Sequence, residues 1–324
     1  MLIHKKNKIL YKDWICEWLI EHSNYIKEST YANYSSIVFN HLIPILGEIP
    51  LNKINNQILQ QLILDKYKNG RMDNTGGLSD KTIKDISMLL KTSFKSAVKS
   101  ELISGFDLDF SYPKISKEEK IYVLSMKEQK ILTNYIISNK STKNFGILLT
   151  LYTGLRIGEL CALKWEDINF KKNILNINKT IQRVYIKYKD NNSVSKVIIT
   201  NPKTKNAFRE IPLNSEFANL LKEFKTKDSD YILSGRDKWV EPRTYRKYFD
   251  KLLVKCNISH INFHSLRHTF ATNCIRLGAD YKTVSELLGH SSINITLNLY
   301  VHSQMSQKKK CINLICKDLK LQKS

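Results

Sequence analysis

The spacing of apolar residues changes period twice along this 324-residue chain, and that limits the fold more than any composition figure does. Near the start, Tyr11, Trp14, Ile15, Trp18 and Leu19 recur at the i, i+3, i+4, i+7 and i+8 positions of one helical stripe. The two tryptophans on that stripe read as core rather than as a base-stacking platform. A second helix is predicted from Ser29-Thr30, turning Tyr31, Tyr34, Val38 and Leu42 inward. It should end before Pro44, because proline disfavours the helical region for the residue preceding it. Asn56 to Leu64 gives a short third helix, and KNGRMDNTGGLS has the Gly and Asn content of a loop. From Ser79 a fourth helix sets Ile83, Ile86, Leu90, Phe94 and Ala97-Val98 on one side, with lysines opposite.

The stretch SGFDLDFSYPKISKEEKI, residues 104–121, interrupts this pattern with Gly, Pro and a charged run. We therefore expect a helical domain over 1–110, a linker over 111–121, and a second domain over 122–324 that ends in a tail helix. A new helix opens at Ser125, three residues before Glu128, the spacing of a capping box. The apolar run ILLTLYTG breaks at Gly154 and leads at once into LRIGELCALKW. The period then shortens: ILNINKTI, RVYIKY, KVIIT and AFREIPL predict a small antiparallel sheet within 173–213. Helices resume beyond it. The expected fold class is mainly α with a small antiparallel β-sheet, in two domains.

Charge narrows the partner. Lys and Arg number 52 against 30 Asp and Glu, a formal net charge of +22. Spread along the chain, such an excess suits DNA or RNA, where phosphate neutralisation rewards many dispersed cations. The plainer reading is a lysine-rich solvated surface. A membrane surface fits less well, since no single helix concentrates lysine beside a broad apolar face. No stretch approaches the length of a membrane span, and MLIHKKNKIL lacks the apolar core of a secretory signal. The six cysteines are scattered without metal-ligand spacing and read as free thiols of a reducing compartment, so a cytoplasmic location is expected.

Two regions of the second domain carry chemistry. His264-Ser-Leu-Arg267-His268 opens a helix, so His264 and Arg267 face the same way on its first turn, at an end whose N–H groups favour an anion. Further on come Leu-Gly-His290-Ser, with a helix-stopping Gly289, and Tyr300 within INITLNLYVH. Upstream, Thr153-Gly154-Leu155-Arg156-Ile157-Gly158-Glu159 puts an arginine at a sharp turn with a carboxylate one turn on to orient it. Cutting a phosphodiester without a metal needs a nucleophile, cations on the non-bridging oxygens and an acid for the leaving oxygen; these residues supply each type. Singly, each has a duller reading: Tyr300 as core, Arg156 paired only with Glu159, His264 and His268 as a zinc pair lacking a third ligand.

TGLRIGEL, HSLRH, LGHSS and LYVH, in this order, resemble the catalytic boxes of the tyrosine recombinases, the lambda-integrase or phage integrase family. The likeness covers roughly residues 122–305 and is strongest to integrases of phages and integrative elements from low-GC Gram-positive bacteria. The preceding helices resemble that family's SAM-like core-binding domain, which with the catalytic domain forms a C-shaped DNA clamp. The resemblance implies Tyr300 as nucleophile, forming a 3′-phosphotyrosyl bond, and Arg156 and Arg267 as phosphate clamps, with Glu159 supporting. It implies His264 and His290 as hydrogen-bonding and proton-moving groups. It implies a general acid in a β-hairpin turn, where Lys203 holds the matching position behind Pro202 and Lys205 is the rival.

The same resemblance implies no cofactor and no metal. It implies double-stranded DNA as substrate and a homo-tetramer coupled by exchange of the tail MSQKKKCINLICKDLK, whose duller reading is a helix packed on its own domain. Accessory DNA-bending or excisionase proteins could assist, in integration or excision of a mobile element. Since the helical unit begins near Tyr11, we expect a Xer-like layout, or one whose arm-binding domain lies outside this chain. Relaxation of supercoils, as by type IB topoisomerases, and a catalytically silent DNA-binding regulator remain open alternatives.

Overall fold

A computed structural model describes residues 9–105, 108–113, 122–188, 192–201, 205–290, 292–294, 309, 312–313 and 315–316. The chain folds as two compact units: Met1–Glu118 with Arg183–Val197, and Glu119–Gln182 with Ile198–Ser324.

The first unit is helical. Helix α1 (Tyr11–His22) buries Tyr11, Trp14, Ile15, Trp18 and Leu19, the predicted stripe. Helix α2 (Glu28–Ile37) runs through a π turn, Val38–Leu42, into α3 (Ile43–Leu46). The predicted stop before Pro44 is therefore overturned. Pro44 lies in the first turn of α3, where its missing N–H leaves no bond unmade, and the wider turn lets Ile43 donate back to Val38. Helix α4 (Asn56–Asn69) starts where the Asn55 side chain accepts from Ile58 N–H at 3.0 Å, and continues past the predicted end. Helix α5 (Asp80–Lys99) is capped by Ser79 and buries Ile83, Ile86, Leu90, Phe94 and Ala97.

The chain beyond α5 stays with this unit. Leu102, Ile103 and Leu108 pack on its core, and Phe110 is buried in it. The Gln60 amide brackets Ser111, donating to its carbonyl at 3.0 Å and accepting its N–H at 2.9 Å.

In the second unit, α6 (Met126–Ser138) opens with the predicted Ser125–Glu128 capping box. Helix α7 (Thr142–Thr153) is buried along most of its length and packs against α11 (His264–Arg276). Helix α8 (Ile157–Ala162) follows α7 after a three-residue turn, 154–156. Strands β1 (Ile168–Asn169), β2 (Ile174–Ile177) and β5 (Arg209–Pro212) form an antiparallel sheet in the order β1-β2-β5, with Leu175 opposite both Ile168 and Ile211. Strands β3 (Thr180–Lys187) and β4 (Ser193–Thr200) pair separately, so the one predicted sheet is two. Helices α9 (Ser215–Lys222), α10 (Pro242–Lys255) and α12 (Tyr281–Leu288) complete the unit, with α12 against β5.

Residues 183–197 of the β3–β4 hairpin belong with the helices of the first unit. There Lys187 donates from its backbone to Ser35 Oγ at 3.3 Å and from Nζ to Asn40 Oδ1, and Lys196 pairs with Glu28. Among the described residues, no helix is long and apolar enough to cross a membrane.

Candidate active site

Arg156 stands at the start of α8 because α7 ends on Gly154, whose left-handed backbone (φ +67°) turns the chain sharply. A side chain there would meet Phe270 and Leu288 atoms at 2.6 and 2.7 Å. Glu159, one turn into α8, accepts the Arg156 backbone N–H at 2.9 Å and its Nη1 at 2.7 Å. Arg156 Nη2 reaches the Gly289 carbonyl at 3.1 Å. The expected orienting pair is present, and it is not an isolated surface bridge: the Glu159 side chain is only 4% exposed.

Arg267 projects from the first turns of α11 into the interior and is 2% exposed. Its Nη1 donates to the Gly154 carbonyl at 2.8 Å and its Nη2 to the Leu288 carbonyl at 2.7 Å. His264 opens the same helix, its ring 4.7 Å from that of His268 in an edge-to-face contact. The anion-facing N–H groups expected at this helix end are in part already used: Asn262 takes the Ser265 N–H at 3.0 Å.

Helix α12 stops at Gly289 in the left-handed region (φ +64°), and the His290 N–H closes back on the Ser285 carbonyl at 3.0 Å. That turn leaves the carbonyls of Leu287, Leu288 and Gly289 unpaired within the helix. Each accepts from an arginine: Arg209 Nε at 2.7 Å, Arg267 at 2.7 Å and Arg156 at 3.1 Å. Cations at a helix C-terminus also meet the negative end of its dipole.

Arg209 escaped the reading of the sequence. Its Nη1 and Nη2 span Glu159 Oε1 and Oε2 at 3.1 and 2.8 Å, and its side chain is 5% exposed. The signal lay in AFREIPL: on β5 Arg209 shares a face with buried Ile211, and a charge on an inward strand face must find a partner.

Electrostatics follow from this crowding. Burial works to raise the Glu159 carboxyl, but the hydrogen bonds and charge of Arg209, then the charge of Arg156, hold it at about 2. Burial lowers His264 to about 4, aided by His268, Arg267 and Arg156 and opposed by Glu159. Burial, then Arg267 and Arg156, holds His290 at about 3, and His268 is lowered by burial and Arg267. Both His264 and His290 are therefore neutral at pH 7 in the free protein, each with a nitrogen able to accept a proton. A cavity of about 450 Å³ opens beside His290, bordered by Asn206, Arg209, Lys282 and Glu286.

The fold thus brings Arg156, Glu159, His264, Arg267 and His290 together from three distant parts of the chain. Tyr300, Lys203 and the Lys205 side chain lie outside the described residues.

Comparison with known proteins identifies the family. Residues 122–307 match the phage integrase family, and residues 10–66 match the N-terminal SAM-like domain of phage integrases. A XerC-like tyrosine recombinase of Caldanaerobacter subterraneus is 30% identical over 319 residues, covering 89% of this chain and 76% of the relative. The transposase of transposon Tn916 from Enterococcus faecalis is 29% identical over 250 residues, covering 70% of this chain and 60% of that protein. The fold matches the Tn1549 transposon integrase in complex with transposon right end DNA, at a TM-score of 0.72, 22% identity and coverage of 95% and 100% of the two chains. It also matches lambda integrase bound as a dimer to a core site, at a TM-score of 0.62, 20% identity and coverage of 92% and 79%. The chain belongs to the phage integrase family: it is a tyrosine recombinase, an enzyme of DNA breakage and rejoining related to the integrases of Gram-positive mobile elements.

Proposed function

We propose that Arg156, Lys203, His264, Arg267, His290 and Tyr300 form the catalytic centre, with Glu159 supporting Arg156. The convergence of Arg156 and Arg267 on the Gly289 and Leu288 carbonyls at the turn that presents His290, with Glu159 holding Arg156 and neutral His264 on the helix of Arg267, carries this reading. Tyr300 Oη attacks the scissile phosphorus, passing its proton to a neutral histidine of the site, His264 or His290, as the P–O5′ bond breaks. Lys203 delivers a proton to the departing 5′ oxygen, leaving a 3′-phosphotyrosyl bond and a free 5′-hydroxyl. A 5′-hydroxyl from a second strand reverses these steps, so the bond energy of the phosphodiester is kept. Arg156 and Arg267 neutralise charge on the pentacoordinate phosphorus, where a planar guanidinium can bind two oxygens at once. A tyrosine with an ordinary pKa of about 10 is a weak nucleophile at pH 7, and the same cations lower the cost of its phenolate.

The substrate is double-stranded DNA at the recombination sites of a mobile element, handled in the cytoplasm. Along the chain this reading takes domains at 1–110 and 122–324 across a linker at 111–121, with residues 183–197 grouped in the first compact unit, and four copies assemble by exchanging tails. Among the described residues of that tail, Ile312 and Ile315 are helical and 58% and 49% exposed, apolar side chains such an exchange would use.

The test is covalent trapping on a nicked duplex carrying the junction of the parent element. The full chain should form an adduct that Tyr300→Phe abolishes, and a chain ended after Ser306 should lose paired cleavage. A Tyr300→Phe protein that still forms the adduct refutes the reading. An adduct that only relaxes supercoils, without exchanging strands, refutes recombination in favour of relaxation.

A further inference from the structure

Glu159 presents a puzzle if Arg156 is to bind phosphate. A buried carboxylate 2.7 Å from a guanidinium is its natural counter-ion and would cancel the charge that phosphate needs. Arg209 resolves it. It reaches Glu159 with both terminal nitrogens, so one carboxylate is divided between two arginines and the trio keeps one positive charge. Exposure decides where that charge is offered: the Arg156 side chain is 37% exposed, those of Arg209 and Glu159 only 5% and 4%. The described hydrogen bonds of Arg156 engage one N–H on each terminal nitrogen, out of five N–H donors that an arginine carries. Arg209 also fixes the turn below His290, through Leu287 and through its place against Gly289, where an added Cβ would come within 3.1 Å of its Nη1.

We infer that Arg209 is a positioning residue of the recombinase, which takes up Glu159 from the buried side and so leaves the positive charge of Arg156 uncancelled and available to the scissile phosphate. This rests on the reading of Arg156 as a phosphate clamp. Arg209 itself touches no substrate; it acts through Glu159 and Arg156. Lysine would not replace it fully, because only the guanidinium fork meets both carboxylate oxygens while its Nε bonds a third acceptor.

A neutral phosphate separates this role from simple support of the fold. Single-turnover adduct formation by the full chain is measured on the junction duplex, with the natural scissile phosphodiester and with a methylphosphonate in its place, which lacks the negative charge. Arg209→Ala should slow cleavage of the phosphodiester by about 100-fold, the scale of losing one stabiliser of transition-state charge. On the methylphosphonate the loss should shrink to within a few-fold, since the charge on Arg156 no longer matters. Adding Glu159→Gln to Arg209→Ala should recover about ten-fold on the phosphodiester, by removing the unshared carboxylate. Equal losses on the two substrates, no loss, or no recovery by Glu159→Gln would overturn the role. If Arg209→Ala gives no cooperative melt, Arg209→Lys is read on the same pair of substrates and decides in the same way. Arg156→Ala serves as the reference. If it cleaves the phosphodiester at full rate, the clamp reading itself fails; if it is slow while Arg209→Ala is not, only the role of Arg209 fails.

Discussion

Gly289 carries both the end of α12 and the backbone of the site, and its replacement by alanine can be worked through quantitatively. The backbone sits at φ +64°, so any Cβ meets the steric cost of the left-handed region, about 1–2 kcal/mol. Space adds to it. An alanine Cβ would lie 2.9 Å from the Asn206 carbonyl oxygen, 3.1 Å from Arg209 Nη1 and 3.2 Å from Arg209 Cδ. The first is backbone and cannot move alone, and the others belong to a side chain held by Glu159 and Leu287. Overpacking of this kind costs about 1–3 kcal/mol, so the expected total is about 2–5 kcal/mol. Gly278 is the control. It too is left-handed, at φ +99°, but nothing lies within 4 Å of a Cβ there. Gly278→Ala should therefore show the backbone cost alone, about 1–2 kcal/mol. Urea titration of the full-length variants, followed by hydrogen exchange of peptides from α11 and α12, reports each loss locally. With a slope of about 2 kcal/mol per molar urea, Gly289→Ala should lower the midpoint by about 1–2.5 M. It should fall further than in Gly278→Ala, and adduct formation should drop only in the former. Equal shifts in the two variants would refute the packing argument, and a shift under about 0.3 M for Gly289→Ala would refute both contributions.

Two further outcomes follow from burial and charge. The unfolded chain protonates His264 and His290 near pH 6.5, whereas the folded state holds them neutral down to about 4 and about 3. The unfolded state thus binds more protons below pH 6.5, and stability falls with pH by about 1.4 kcal/mol per unit for each histidine. Glu159, held at about 2 against an ordinary 4.5, adds a loss of the same sign below pH 4.5. Urea midpoints from pH 7.5 to 4.5 should decline in the wild type and less steeply in a His264→Gln/His290→Gln variant, in which the lowered His268 and His41 remain; parallel declines would contradict the assignment. In the first unit, Phe110→Ala removes a ring that is 5% exposed and lies 5.5 Å from Lys91 Nζ. It should destabilise the helical unit by about 3–5 kcal/mol, seen in the fluorescence of Trp14 and Trp18 during urea unfolding. A loss below about 0.5 kcal/mol would mean that the chain after α5 does not belong to that core.

Signals confined to a few residues were legible before any coordinates. The stripe of α1, the Ser125–Glu128 capping box, the Ser79 cap and the glycine stops at Gly154 and Gly289 each depend on neighbours within about two helical turns. The order of Arg156, His264, Arg267 and His290 was readable for the same reason, as local motifs set along one chain. Other features depended on what came to lie alongside. By local rules Pro44 reads as a stop, because those rules cannot foresee the π turn that absorbs it. One sheet was expected where there are two, because strand runs do not state their partners. Arg209 shows the limit most clearly: Glu159 is 50 positions away in sequence and Leu287 is 78. The sequence alone determined which residues could do the chemistry. Only the tertiary structure decided which arginine is buried behind the carboxylate and which is left facing outward, because charge pairing in an interior is settled by long-range packing.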